Sequence, residues 1–230
     1  VEAQQRKQQD AMLAQRQQRQ KMLLRISSRL DSQKREIETL RRDEKRLTGL
    51  IDRIQRLLAE KAKKRASKPP PGKERLATDK KGEKPSPKAT QAGASEIQGG
   101  RFASLRGKLS APTSGVISQK FGAAQDGGGK SKGIFIRSAA GGDVRAIADG
   151  QVVFADWLRG FGNLIVLDHE DGFLSVYGYN EAVLKQVGDE VRSGDRIAAI
   201  GNSGGRSETG LYFELRRRGE AIDPGQWLRR

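Results

Sequence analysis

Gly210-Leu211-Tyr212-Phe213-Glu214-Leu215-Arg216 reads as a strand of an antiparallel sheet, and that reading decides the fold of the C-terminal half. From about Leu109 onward the rhythm is period two, cut into short runs by glycine, which is an all-β signal. Candidate strands upstream are Gly115–Gln119, Gly133–Arg137, Asp143–Ala148, Gln151–Leu158, Asn163–Asp168, Leu174–Tyr179 and Arg196–Ile200, with Leu211–Arg217 as the last. Asp149-Gly150, Asp171-Gly172, Gly188-Asp189 and Gly194-Asp195 supply the turns between them. About 120 residues of antiparallel sheet suffice for one core. Within the last strand, Tyr212 and Arg216 are four residues apart and therefore share a face.

Outward from that half, composition sets limits. The chain has 230 residues, with 35% hydrophobic and 5% aromatic residues, too lean for one compact core over its whole length. It carries 44 Lys+Arg against 28 Asp+Glu, a formal charge of +16. Residues 1–66 hold 19 basic and 9 acidic residues, residues 67–108 hold 10 and 4, and residues 109–230 hold 15 of each. The excess sits on the N-terminal segments while the β half is neutral, so no basic groove for nucleic acid is expected. The charge suits a solvated helix or a segment near anionic membrane or cell-wall polymer. No run of about 18 apolar residues is present, so no membrane-spanning helix is expected. The chain begins at Val1 inside a helical pattern, without initiator Met or signal peptide, and is expected to be a piece of something longer.

Cysteine is absent, which removes disulfides, thiolate catalysis and Cys-based zinc sites. His169 is the single histidine, and one imidazole cannot fill the ligand and proton-transfer roles of a zinc hydrolase.

Residues 1–66 read as one long helix. Leu23, Ile26, Leu30, Gln33, Ile37, Leu40, Glu44, Leu47, Ile51, Ile54 and Leu58 recur in alternating steps of three and four, a heptad seam interrupted by Gln33 and Glu44. One apolar stripe on so long a helix needs a partner. That partner is a second copy, another arm or another protein. Lys68-Pro69-Pro70-Pro71-Gly72 stops the helix. Residues 67–106 then read as a basic Pro- and Gly-containing linker with a short candidate helix at Glu74–Lys81. Phe102–Leu109 is a second candidate helix, with Phe102, Leu105 and Leu109 on one face. The domain that follows is taken as residues 107–230.

Three motifs fall away on inspection. Asp126-Gly-Gly-Gly-Lys-Ser131 resembles a phosphate-binding loop, but the first required glycine would fall on Ala124, and a strand rather than a helix follows. His169, in Asp168-His169-Glu170-Asp171-Gly172, reads as a turn residue rather than a metal ligand. Val187–Val191 and Ile197–Gly201 are similar to the hairpins of biotinyl and lipoyl carrier domains, but the comparable turn has Asp149-Gly150 and no lysine.

Six pieces in order carry a stronger resemblance: Leu109–Gly115, Ala146–Trp157, Gly160–Leu164, Val187–Gly194, Ile200–Gly204 and Phe213–Arg216. Together they resemble the LytM, or lysostaphin-type, peptidase domain. The resemblance implies an α+β chain: a long N-terminal coiled-coil helix plus a mainly antiparallel β LytM-type domain. Active members bind zinc through an H-x-x-x-D pair and the second His of H-x-H. Two further histidines serve catalysis. On this sequence those positions are Ser131, Phe135, Tyr179, Gly210 and Tyr212, which offer neither imidazole nor carboxylate. The resemblance therefore implies a non-enzyme with no catalytic residue, no metal and no cofactor.

A coiled coil, a basic linker and a ligand-less LytM domain together resemble the EnvC-type murein hydrolase activators. That resemblance implies a periplasmic protein of cell division. Its coiled coil would dock on the FtsEX complex, and its former active-site groove would bind a helix of a periplasmic cell-wall amidase, with peptidoglycan as a further contact. The expected groove residues are Lys132, Phe135, Phe161, Leu164, Tyr179, Tyr212 and Arg216. Tyr212 and Arg216 are expected to be replaceable without unfolding the domain. An active zinc murein endopeptidase and a non-activating peptidoglycan-binding scaffold remain the alternatives.

Overall fold

The computed structural model describes residues 2–66, 102–124 and 129–229. The candidate helix Glu74–Lys81, most of the linker and part of the Asp126 glycine loop lie outside the described residues. The chain is one long N-terminal helix followed by a mainly antiparallel β-domain.

Helix α1 spans Glu2–Ala66. Gly49 is its one glycine and it has no proline; Gln, Arg, Lys, Glu and Leu dominate, and these lose little freedom in a helix. At 1.5 Å per residue it is roughly 100 Å long. No helix here is long and apolar enough to cross a membrane among the described residues. The heptad seam is real but changes partner along its length. Leu23, Ile26, Leu30 and Leu40 are exposed, whereas Leu47, Ile51 and Ile54 are buried. The expected helix-to-helix coil is thus a single helix whose lower seam is covered by the chain's own sheet. A stripe of Leu and Ile packs equally well on a β-face, and the sheet supplies one within the same molecule.

The strands are β1 (Val116–Gln119), β2 (Ile134–Arg137), β3 (Asp143–Arg145), β4 (Gly150–Leu158), β5 (Gly162–Asp168), β6 (Phe173–Val183), β7 (Glu190–Val191), β8 (Arg196–Ile200), β9 (Gly210–Arg217) and β10 (Glu220–Ile222). The main path runs β1-β2-β9-β6-β5-β4-β7; β10 pairs with β9, and β8 pairs with both β3 and β6. The two short strands β7 and β10 escape the sequence reading, because two or three residues carry no measurable alternation. Phe102–Leu109 forms a single 3-10 turn at Ala103–Leu105 rather than a helix. Phe102 and Leu109 are nevertheless buried.

Alternation gives the sheet two apolar faces. One face carries Ile134, Ile136, Ile165, Leu167, Phe213 and Leu215 and forms the larger core. Phe102 closes it, 4.8 Å from Phe173 and 5.3 Å from Trp227, ring centre to ring centre. The other face carries Phe135, Leu164, Val166, Leu174, Val176 and Tyr212 and packs under α1.

His169 is buried under the Phe102 ring, 4.7 Å away. Nδ1 lies 2.7 Å from the Asp149 carbonyl and Nε2 lies 2.6 Å from Ser175 Oγ. Ser175 Oγ in turn donates to Tyr177 Oη at 3.1 Å, and that oxygen accepts from the Ile147 N–H at 3.2 Å. The histidine is a satisfied core residue at a turn. Burial pushes its pKa down from 6.5 to about 4. The folded chain therefore favours the neutral ring. Its contribution to stability is complete above the unfolded pKa of 6.5 and is lost as pH falls towards 4. The share of His169 in the loss between pH 7 and pH 4 is about 3 kcal/mol, read as the difference in urea unfolding between the chain and its His169→Gln variant. Asp168 and Glu214, whose pKa values burial raises, act in the opposite sense. His169→Gln is expected to lose that acid sensitivity. An unchanged pH slope in the variant would assign it to other groups.

Candidate functional site

The groove is the sheet face beneath α1, and β9 runs through it. On β9, Leu211, Phe213 and Leu215 point into the larger core. Tyr212, Glu214 and Arg216 share the opposite face. Register brings the neighbouring strands to Tyr212: Phe135 of β2 pairs with it on one side and Gly178 of β6 on the other.

An aromatic cluster results. The Phe135 and Tyr179 rings are 6.0 Å apart, Tyr179 and Tyr212 are 6.1 Å apart, and both contacts are edge to face. Phe161 stacks on Tyr179 at 6.0 Å and lies 5.1 Å from Tyr212. Tyr179 has φ 65°, a left-handed conformation that a bulky residue rarely adopts. It sits beside a register irregularity between Asn180 and Ala182, and its N–H donates to the Phe161 carbonyl at 2.7 Å. Gly210 belongs to the same wall: a Cβ there would lie 2.7 Å from the end of the Phe135 ring. Leu164 is fully buried beside these rings.

Of the five positions assigned to lost ligands and catalytic groups, Phe135, Tyr179, Gly210 and Tyr212 converge in this cluster. Ser131 is buried, and its hydroxyl donates to the Gly133 carbonyl at 2.8 Å, committed to its own turn. These residues do not fit a zinc ion. The carboxylate on the same strand face, Glu214, is held by two other side chains, and no group of three His, Asp or Glu able to hold a metal occurs among the described residues. No metal-dependent step follows from this donor set.

Beneath the cluster lies a charged row. Arg216 is 1% exposed and Glu214 is 0% exposed. Arg216 Nε donates to Glu214 Oε1 at 2.6 Å, and Nη1 donates to the Gly219 carbonyl at 3.1 Å. Tyr212 Oη donates to Glu214 Oε2 at 2.8 Å. Burial pushes the Tyr212 hydroxyl well above its usual pKa, and the adjacent Glu214 carboxylate adds to the shift. Burial raises Glu214 as well, against the pull of Arg216. Arg216 does lie on the Tyr212 face. It is a paired, covered side chain, however, and not an accessible contact residue. Its replacement acts first on stability.

Lys132 stands at the rim. Its Nζ lies 3.2 Å from Glu44 Oε1 and donates to Thr48 Oγ1 at 3.2 Å, both on α1. Below it, Leu47, Ile51 and Ile54 press onto the aromatic and aliphatic floor, with Leu50 and Leu58 partly buried alongside. Gly160 has φ 86°, and a Cβ there would run into the Asp43 side chain, so the β4–β5 turn is cut back to admit the helix. Lys61 reaches Gln151 at 3.5 Å at the lower end.

Sequence reasoning missed several contributors. Glu214 sits in the opening stretch between Tyr212 and Arg216, and strict alternation places it on the same face. Arg206, on the β8–β9 loop, lies 4.0 Å over the Phe135 ring and donates to Gln119 Oε1 at 2.9 Å. No local pattern marks it. On the helix, Glu44 is a polar interruption of the heptad seam and Asp43 and Thr48 lie outside that seam; all three become contacts because the sheet lies there.

Residues 129–224 match Peptidase family M23. The chain is similar to the murein hydrolase activator EnvC of Escherichia coli, 35% identical over 92% of this chain and 51% of EnvC. It is also similar to the murein hydrolase activator NlpD of Escherichia coli, 42% identical over 51% of this chain and 30% of NlpD. Among solved structures, the catalytic domain of lysostaphin from Staphylococcus simulans aligns at 28% identity with a TM-score of 0.42, over 48% of this chain and 87% of that domain. The chain spans about half the length of EnvC and under a third of NlpD.

Proposed function

We propose, from the match of residues 129–224 to Peptidase family M23 and the similarity of the chain to EnvC, that the protein is a non-catalytic murein hydrolase activator. The enzyme it switches on is a periplasmic N-acetylmuramoyl-L-alanine amidase, and the setting is septal peptidoglycan splitting. Residues 107–230 are the effector domain, residues 67–106 the linker, and residues 1–66 the arm that docks on FtsEX.

One observation carries the reading. The groove that would hold zinc in a peptidase is filled with Phe135, Phe161, Tyr179 and Tyr212, and an amphipathic helix lies in it through Leu47, Ile51 and Ile54. Burying aromatic and aliphatic anchors spaced three and four apart is how grooves recognise helices. The amidase contributes such a helix, and α1 occupies its place until the upper arm is engaged. The relatives named as activators, and the absence of metal-holding groups among the described residues, support a regulator over an enzyme.

The test is dye release from labelled murein by a purified periplasmic amidase, with and without the chain. The expected result is stimulation that needs the amidase. No stimulation, even with the groove opened by substitution, would leave a scaffold. Chelator-sensitive cleavage by the chain alone would make it an endopeptidase.

A further inference from the structure

The helix lying in the groove is not a perfect fit. Along Asp43–Leu58 most inward side chains are matched: Glu44 and Thr48 meet Lys132, and Leu47, Ile51 and Ile54 meet the floor. Gln55 is the exception. It is half-buried beside Gly219, where a Cβ would lie 3.0 Å from Gln55 Oε1, and the Gly219 carbonyl is itself taken by Arg216. Its amide nitrogen is buried and has no hydrogen-bond partner among the described residues. A buried donor left unpaired weakens the contact that buries it, because the water it lost is not replaced. Leucine and glutamine have similar helix propensities, so nothing in helix formation requires an amide at this position.

We infer that the groove is built for an amphipathic helix that carries an acidic residue facing Lys132 and an apolar residue where α1 has Gln55. α1 then fills the seat as a weaker copy. The favoured helix reads acidic, then apolar three, seven, ten, eleven and fourteen residues further on, where α1 has Glu44, Leu47, Ile51, Ile54, Gln55 and Leu58. This rests on the reading of the groove as a helix-binding site and adds to it the pattern of the partner. It also explains how a seat covered within the chain, at high effective concentration, still yields to an external helix: the competitor does not carry the unpaired amide.

Two arms test the inference, and neither needs an amidase. In the intact chain, Gln55→Leu is expected to slow amide exchange over residues 47–58 about tenfold, the order set by removing one unpaired buried donor. Gln20→Leu, on the exposed part of α1, leaves it unchanged. Gln55→Met repeats the test with a more adaptable side chain. In the second arm, the full chain carrying Ile51→Asp is titrated with a labelled peptide of residues 40–61. The Gln55→Leu peptide is expected to bind roughly tenfold tighter than the unaltered peptide. The Glu44→Lys peptide is expected to bind a few-fold weaker, as a half-exposed ion pair allows, and to recover on a chain that also carries Lys132→Glu. Exchange that is unchanged or faster in both Gln55 variants, or no gain for the Gln55→Leu peptide, would overturn the pattern. Peptide binding that follows the pattern while the amidase stays unstimulated would instead overturn the proposed function.

Discussion

Ile51→Asp is expected to free the lower third of α1 from the groove and convert the chain into a strong activator. Ile51 is 0% exposed and sits at the middle of the helix contact, between Leu47 and Ile54. Losing the burial of one such side chain costs about 1.5–3 kcal/mol, and setting a carboxylate against the aromatic floor costs more. A total of about 3 kcal/mol or more shifts the covered-to-open ratio roughly a hundredfold. The larger core on the other sheet face does not touch Ile51, so the β-domain is expected to keep its cooperative unfolding. Amide exchange over residues 43–58 should rise at least tenfold, and dye release at limiting chain should rise with it. Leu23→Asp, on the exposed upper seam, is the control and should leave the groove covered. Faster exchange without more dye release would separate helix release from activation. Unchanged exchange would mean that α1 is held elsewhere.

The second large effect belongs to Arg216. Sequence reasoning treats it as an accessible anchor whose loss leaves the domain folded. In the structure its guanidinium is buried against Glu214, which also accepts the Tyr212 hydroxyl. Arg216→Ala leaves a buried carboxylate without its cation, a change that costs about 3–5 kcal/mol. Urea unfolding of the β-domain should show that loss. The pair itself stabilises far less than its removal costs, because desolvation of both ions offsets their attraction. The double change Glu214→Leu with Arg216→Met should therefore recover most of the stability lost by Arg216→Ala alone. Tyr212→Phe, which removes one hydroxyl from Glu214, should cost about 1 kcal/mol. If Arg216→Ala unfolds at the same urea concentration as the unaltered chain, the ion pair is open to water and Arg216 is again a contact residue.

The strands were legible because alternation is local. Ile134–Arg137, Arg196–Ile200 and Gly210–Arg217 fall within a residue of their sequence reading. The convergence of Phe135, Tyr179 and Tyr212 was legible only through the resemblance to the LytM domain, since 77 positions separate the first from the last and nothing local joins them. Arg206 was not legible at all. A loop arginine over a ring has no periodicity, and its place depends on the backbone path between β8 and β9. Phe102–Leu109 was misread because its apolar spacing fits a helix, while the segment follows the edge of the core as a single turn.

The amino-acid sequence by itself determined the two-part architecture, the face each β9 side chain takes, and a composition of one histidine and no cysteine. These follow from periodicity, breakers and residue chemistry, which act over a few residues. Only the tertiary structure decided what covers the groove. A heptad seam specifies that Leu47, Ile51 and Ile54 must be buried, because apolar area has to leave water. It does not specify against what, since that interaction has no direction. The sheet face of Phe135, Leu164, Val166, Leu174, Val176 and Tyr212 was the apolar surface within reach, and the fold brought the two together.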